Sequence, residues 1–313
     1  MDAAPRLFGD GPLIVGVDGS GRSRDAIGLG QQLALALPGE LMAVYVHTLD
    51  ELDTVTSVHY SDEAERLAAQ QTAAKRAKVA ALAAEMGAAD VQLRQATSAA
   101  AGLHDQAIGS DAALVLLGSS SRAGLGRVLL GGTAERLLSG SPVPVAVAPN
   151  DYASREARLA VIGVGFDGSP EARQAVRWAA DLTDRSGASL RLLAVVAPMA
   201  FGGTAAGAWG TQTVSQVLAR ELQSETERLA EALSADLAVD PHVFRGSPPK
   251  LLVEHSQELD LLVLGSRGYG PIKSVLLGGV SSYVLRNAHC PVMVVPRGGS
   301  DNQAVTPSMP AGC

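Results

Sequence analysis

One stretch of the chain carries residue types and spacing suited to holding an anion. Gly265-Ser266-Arg267-Gly268 follows the uncharged run Leu261-Leu262-Val263-Leu264, and Leu276-Leu277-Gly278-Gly279 comes later, with Gly278 ten residues after Gly268. A short apolar run bounded by glycine reads as a buried strand. After Val280, Ser281 and Ser282 open Tyr283-Val284-Leu285-Arg286, which can be helical. The order is therefore strand, glycine loop, helix. Such an order points backbone N–H groups and a helix N-terminus at one spot, where unpaired amides and the helix dipole favour negative charge. Glycine is needed there if the chain turns with φ > 0 or lets a phosphate touch the backbone.

Asp18 and Asp167 are the next candidates. Each ends a short apolar run and opens Asp-Gly-Ser. That tripeptide is turn chemistry, so an Asx-turn or a helix N-cap is as good a reading as a ligand contact. Gly163-Val164-Gly165-Phe166-Asp167-Gly168 matches G-x-G-x-x-G, but Ile14 stands where the other Asp-Gly-Ser copy should carry the first glycine, and the second strand ends in Ala197-Pro198 rather than an acid. Lys273-Ser274 approaches a Walker A ending with Ile272 in place of the required glycine. The six histidines make no i, i+4 pair, and neighbours such as His289-Cys290 on a strand face opposite sides, so no metal site is expected. No Gly-x-Ser-x-Gly elbow offers a nucleophile.

These residues occur in two copies. Leu13-Ile14-Val15-Gly16-Val17-Asp18-Gly19-Ser20 returns as 160–169, with Asp18 and Asp167 offset by 149. Leu114-Val115-Leu116-Leu117-Gly118-Ser119 returns at 261–266, Val128-Leu129-Leu130-Gly131-Gly132 at 275–279, and Pro144-Val145 at 291–292, all offset by 147. An offset held across separated motifs is a tandem duplication. The joint falls in the polar segment 150–156, giving domains over 10–150 and 156–297 and a Gly/Ser/Pro-rich tail over 298–313 that reads as disordered.

Within each copy strands and helices alternate. Strands are expected near 13–17, 41–47, 90–95, 113–117 and 143–147, with helices near 22–37, 61–86, 99–108 and 133–139. The second copy gives strands near 160–165, 189–196, 238–244, 260–264 and 291–295, and helices near 170–185, 212–235, 248–258 and 280–288. Such alternation predicts an α/β fold with a parallel sheet. Ligands of these sheets bind at the carboxyl ends of strands where the strand order reverses. If strands one and four are neighbours, each aspartate and each glycine loop share a crevice. The constant offset predicts two separate sheets, not one continuous sheet of ten strands.

Composition narrows the classes further. The chain has 313 residues, 47% hydrophobic and 18% charged, with a formal net charge of −7. A large core is affordable, and no nucleic-acid-binding surface is expected. Two cysteines make no disulfide framework and suggest a reducing, cytoplasmic setting. The N-terminus lacks the basic start and apolar run of a signal peptide. No charge occurs between Leu192 and Ala219, but Pro198 and four glycines interrupt that stretch, which reads as a buried strand and then a mobile loop, not a membrane span.

Taken together, these motifs resemble the universal stress protein family, in its tandem actinobacterial form, over nearly the whole chain. The resemblance implies a flavodoxin-like, adenine-nucleotide-hydrolase-like open parallel sheet of five strands, order 3-2-1-4-5, in each copy. It implies ATP as ligand, with Mg²⁺ held through the phosphates. The family's signature is Gly, two residues, Gly, nine residues, Gly, then Ser or Thr. Gly265, Gly268 and Gly278 keep that spacing, with Gly279 at the last position and Ser281 two residues on. The first copy has Gly118 and Gly131, Ser121 at the middle position, and Gly132 then Thr133. The second domain is thus the expected ATP site. The resemblance also implies an adenine contact from Asp18 and Asp167 and backbone contacts near Val46 and Val195. Members pair through the fifth strand, so the two domains could pair with each other and the chain dimerise. Three functions stay open: a nucleotide-dependent regulatory module, a slow ATP-hydrolysing enzyme, and a nucleotide-free interaction scaffold. No general base is evident, which favours the first.

Overall fold

The computed structural model describes residues 7–48, 62–85, 90–119, 131–155, 158–197, 205–233, 235, 237–266 and 278–296. The first half runs β1 (Leu13–Val17), α1 (Gly21–Ala34), β2 (Leu41–Thr48), α2 (Asp62–Glu85), β3 (Asp90–Ala96), α3 (Ala99–Gly109), β4 (Leu114–Gly118), α4 (Gly132–Leu138) and β5 (Val145–Ala148). The second repeats it with β6 (Val161–Phe166), α5 (Pro170–Ser186), β7 (Ser189–Val196), α6 (Ala205–Leu233), β8 (Val239–Arg245), α7 (Pro248–His255), a 3₁₀ turn over Ser256–Glu258, β9 (Leu261–Gly265), α8 (Gly279–Asn287) and β10 (Val292–Val295).

The central strands form because uninterrupted apolar runs bury both faces. β1, β4, β5, β9 and β10 are buried almost throughout. The outermost strands, β3 and β8, are polar, and β8 contains Pro241, which suits an edge that has no further strand to pair with. Helix α5 shows its boundaries in sequence: the Ser169 hydroxyl accepts from Ala172 N at 3.1 Å, Pro170 fills the first turn, and Gly187 takes φ 69° at the end. One expectation shifts. Gly207 and Gly210, read as part of a loop, lie in α6, which starts at Ala205. The strong helix formers from Val214 onward carry the helix back over them, since extending a formed helix is far easier than nucleating one. The tail read as disordered lies outside the described residues.

Each half has the strand order expected of it, 3-2-1-4-5. The separation of the sheets does not hold. Strand β5 pairs antiparallel with β10 (Val145 opposite Val294, Val147 opposite Val292), so one sheet of ten strands runs β3-β2-β1-β4-β5-β10-β9-β6-β7-β8. The reason is physical: two short strands, Val-Ala-Val-Ala and Val-Met-Val-Val, each bury both faces, and an open edge of that composition is satisfied by pairing with its counterpart. Helices cover both faces. Residues of α1, α2, α5 and α6 share one apolar cluster, and residues of α3, α4, α7 and α8 share the other, each cluster drawing on both halves.

The linker is fixed to the first half. The Asp25 carboxylate on α1 accepts from Asp151 N at 3.1 Å and Ala153 N at 3.0 Å, and Asp151 takes φ 65°. Burial pushes the Asp25 carboxyl above the ordinary carboxylate range, opposed by those backbone donors. Phe8 meets Trp178 edge to face at 4.3 Å, and Arg286 pairs with Glu135 across the join.

Candidate functional site

Strand β1 leads into α1 on one face of the sheet, and β4 leads to α4 on the other. The sheet therefore opens a crevice at the carboxyl ends of β1 and β4, and the same crevice recurs at β6 and β9. The first cleft encloses about 360 Å³ and the second about 310 Å³. Both lie at the lower end of the size range of small-molecule sites.

In the first cleft the structure brings together Asp18, Val46, Gly118, Gly131, Gly132 and Thr133, all six named from sequence. In the second it brings together Asp167, Val195, Gly265, Gly278, Val280 and Ser281. Gly279 is the first residue of α8 at the same corner. Gly268 and its counterpart Ser121 lie outside the described residues.

Asp18 and Asp167 each form the Asx-turn that their sequence allowed. Ser20 N donates to Asp18 Oδ1 at 2.9 Å, Ser169 N donates to Asp167 Oδ1 at 3.1 Å, and Gly19 and Gly168 take φ 77° and 78°. Turn and cleft are compatible, because an ionised carboxylate has further lone pairs to offer. Asp18 is also held by side chains of α1. Ser23 Oγ donates to Oδ1 at 3.0 Å, and Arg22 Nη2 reaches Oδ2 at 2.6 Å. Burial works against ionisation of Asp18, but hydrogen bonds from Ser20 and Ser23 and the Arg22 charge outweigh it and hold its carboxyl below the ordinary range.

The glycines have different reasons. A Cβ on Gly118 would lie 2.2 Å from the Arg22 carbonyl oxygen, and one on Gly265 would lie 2.6 Å from the Glu171 carbonyl oxygen. The first signature glycine is thus required by the first turn of the neighbouring helix, and neither position has φ > 0. Gly131 and Gly278 are extended N-caps with φ −92° and −62°. Gly132 and Gly279 face open space, so their glycine in place of Ser or Thr answers no steric need. Gly163 of the G-x-G-x-x-G match packs against Leu259, where a Cβ would lie 2.3 Å from Cδ1, which is a packing role.

Ser281 is the hydroxyl residue nearest the signature's last position, Gly279, and lines the second cleft. It is buried, and its Oγ donates to the Gly265 carbonyl at 3.3 Å, tying α8 to the end of β9. Sequence reasoning missed Arg22 and Glu171, which occupy the same place in the two clefts. Only a comparison of the copies for mismatches, at the 149 offset that relates Asp18 and Asp167, would have found them.

The sequence profile of the universal stress protein family matches residues 11–149 and 160–296. The chain belongs to the universal stress protein family. A universal stress protein of Mycolicibacterium smegmatis is 36% identical over 187 residues, a match that covers 59% of this chain and 62% of that relative. One of Mycobacterium bovis is 31% identical over 209 residues, covering 64% of this chain and 69% of that relative. The crystal structure of a universal stress protein from Archaeoglobus fulgidus superposes with a TM-score of 0.62 at 20% identity, over 93% of this chain and 98% of that one, which shows a shared fold. Among the described residues, no helix is long and apolar enough to cross a membrane, and no group of three or more His, Cys, Asp or Glu could hold a metal ion.

Proposed function

We propose that this universal stress protein binds an adenine nucleotide in its β1/β4 and β6/β9 clefts and acts as a nucleotide-dependent regulatory module. The observation that carries the reading is one conjunction, present twice. The aspartate after the first strand, the glycine closing the fourth strand and the first turn of the helix after the glycine loop line a single cleft. A carboxylate acceptor suits an exocyclic adenine amine, and α8 offers unpaired N–H groups for phosphate. ATP is the nucleotide proposed, with Mg²⁺ riding on its phosphates. The three signature glycines Gly265, Gly268 and Gly278 favour the second cleft.

Asp18, the best-defined carboxylate of the two clefts, is a poor proton acceptor while Arg22 and three donors hold it ionised. That supports binding over turnover. A homodimer and a cytoplasmic location belong to the same reading. Because β5 and β10 already pair within the chain, a second copy has to dock on another surface.

Acid or heat denaturation of the purified protein, followed by mass analysis of the released small molecules, tests the proposal. An adenine nucleotide should appear, or ATP should bind the emptied protein in a calorimetric titration. Failure of both overturns it.

A further inference from the structure

The two clefts are built on one plan but are not lined alike at the end of the second strand. Thr48 closes β2 and lines the first cleft, and Ala197 follows β7 and lines the second. The 149 offset that relates Asp18 to Asp167 and Val46 to Val195 also relates Thr48 to Ala197, so the two residues are equivalent. The same strand forms with either residue at its end, so the fold does not require the Thr48 hydroxyl.

Topology says which end of the cleft this is. Within the first half the strand order is β2-β1-β4. β4 closes in Gly118 and leads to α4, the counterpart of the α8 corner proposed above for phosphate. β2 lies on the other side of β1, so Thr48 stands at the end of the cleft remote from that corner. β1 and β2 run in register with Val17 opposite Tyr45, which sets Asp18 level with Val46 and Thr48 two residues beyond. Strands ~4.8 Å apart with a rise of ~3.3 Å per residue put the backbones at Asp18 and Thr48 roughly 8 Å apart. Val46 and Thr48 share one face of the sheet, and both line the cleft. A flat base lying on Val46 spans the gap between Asp18 and Thr48.

Asp18 by itself reads little of such a base. Its Oδ1 already accepts from Ser20 N at 2.9 Å and Ser23 Oγ at 3.0 Å, and its Oδ2 accepts from Arg22 Nη2 at 2.6 Å. An ionised carboxylate has about four acceptor positions, so about one is left, enough for a single N–H of an amine. A hydroxyl supplies what the carboxylate lacks, a donor.

We infer that Thr48 is a second base-reading residue, peculiar to the first cleft: its hydroxyl donates to the ring nitrogen beside the adenine amine, N1 or N7, while Asp18 accepts from the amine. This rests on the nucleotide-binding reading above. It concerns the base alone and leaves the preference of the second cleft for ATP, which rests on the signature glycines, as it stands. An acceptor and a donor side by side fit a 6-aminopurine. A 6-oxopurine sets a carbonyl against the Asp18 carboxylate, two acceptors face to face, and is refused.

Calorimetric titration of the emptied full chain with ATP, 1-deaza-ATP and 7-deaza-ATP tests the inference. Each analogue keeps the amine and the phosphates and lacks one ring acceptor. In the parent, one of the two should bind one site per chain about fivefold more weakly than ATP, the scale of a single hydrogen bond. Thr48→Val keeps the branched shape without the hydroxyl. It should weaken ATP about fivefold at that site and show no further loss with the same analogue. Thr48→Ser keeps the hydroxyl and should keep the parent's ratio of ATP to analogue, which separates the hydrogen bond from any loss of folding. If neither analogue is weakened in the parent, or if the weakening persists in Thr48→Val, the inference is overturned while nucleotide binding stands. If ATP does not bind the unaltered chain, the nucleotide reading itself fails, and this inference with it.

Discussion

Gly118 is glycine because a helix lies against it. Its Cβ would meet the Arg22 carbonyl oxygen at 2.2 Å, and a backbone atom has no rotamer to move aside. From sequence, with the nucleotide expected in the second domain, valine at 118 should change the stabilisation by nucleotide little; its effect on the fold itself is a separate matter, set by packing. Overfilling a tight site costs roughly 1–3 kcal/mol, and more when backbone must shift. Gly118→Val should therefore lose about 3 kcal/mol in chemical denaturation. Gly279→Ser, which faces open space at the start of α8, should stay within about 0.5 kcal/mol of the parent. Equal stability in the two variants would show that the contact between α1 and β4 is not what demands glycine at 118. The same residues show what was legible. Asp18, Asp167, Gly118 and Gly265 stand out because the copies agree at them. Arg22 and Glu171 were invisible to that reading because the copies disagree there, and a search for repeats discards mismatches.

Between residue and domain, the elements were legible where an apolar run met a clear stop. β1 and β7 fall on their expected bounds, and most others shift by one or two residues at an end. What no periodicity could show was the pairing of β5 with β10, since an apolar strand of four residues does not declare its partner. Nor could sequence show that α1 holds the linker. Asp25 sits in the middle of that helix and reads as one more polar residue, yet it is 5% exposed and receives the linker's N–H groups. Asp25→Ala removes the acceptor of those two half-buried donors, a loss below the roughly 1–3 kcal/mol of a fully buried one, and it should exceed that of Asp25→Asn, which keeps an acceptor. The pH dependence has a definite sign. The Asp25 carboxyl is raised above 3.8 in the folded chain, so folding favours its protonated form. Relative to Asp25→Asn, the parent should gain stability as pH falls through the raised value, with the gain complete below 3.8. Urea midpoints of the pair measured across that range give the answer; a gain with rising pH would mean that hydrogen bonding, not burial, governs the group.

At the scale of the whole molecule, the joined sheet turns two homologous domains into one folding unit. Val292, Met293, Val145, Ala146 and Val147 are all at or below 1% exposure, and both apolar clusters run across the join. Neither half can unfold without exposing the other's edge strand and part of its core. The full chain should therefore melt in a single calorimetric transition, with calorimetric and van't Hoff enthalpies equal. Met293→Lys tests the cause, because it buries an unpaired charge opposite Ala146 at the centre of the join. That variant should show two transitions, or one with a van't Hoff enthalpy well below the calorimetric value. Ligand makes the comparison sharper. A nucleotide at a hundredfold excess over its dissociation constant stabilises whatever unit binds it by ~2.7 kcal/mol. In the parent that gain raises the one transition, whichever cleft is filled. In Met293→Lys it should raise only the transition of the half that holds the nucleotide. A parent that melts in two steps, with ligand lifting just one, would mean that the ten strands share hydrogen bonds without sharing stability.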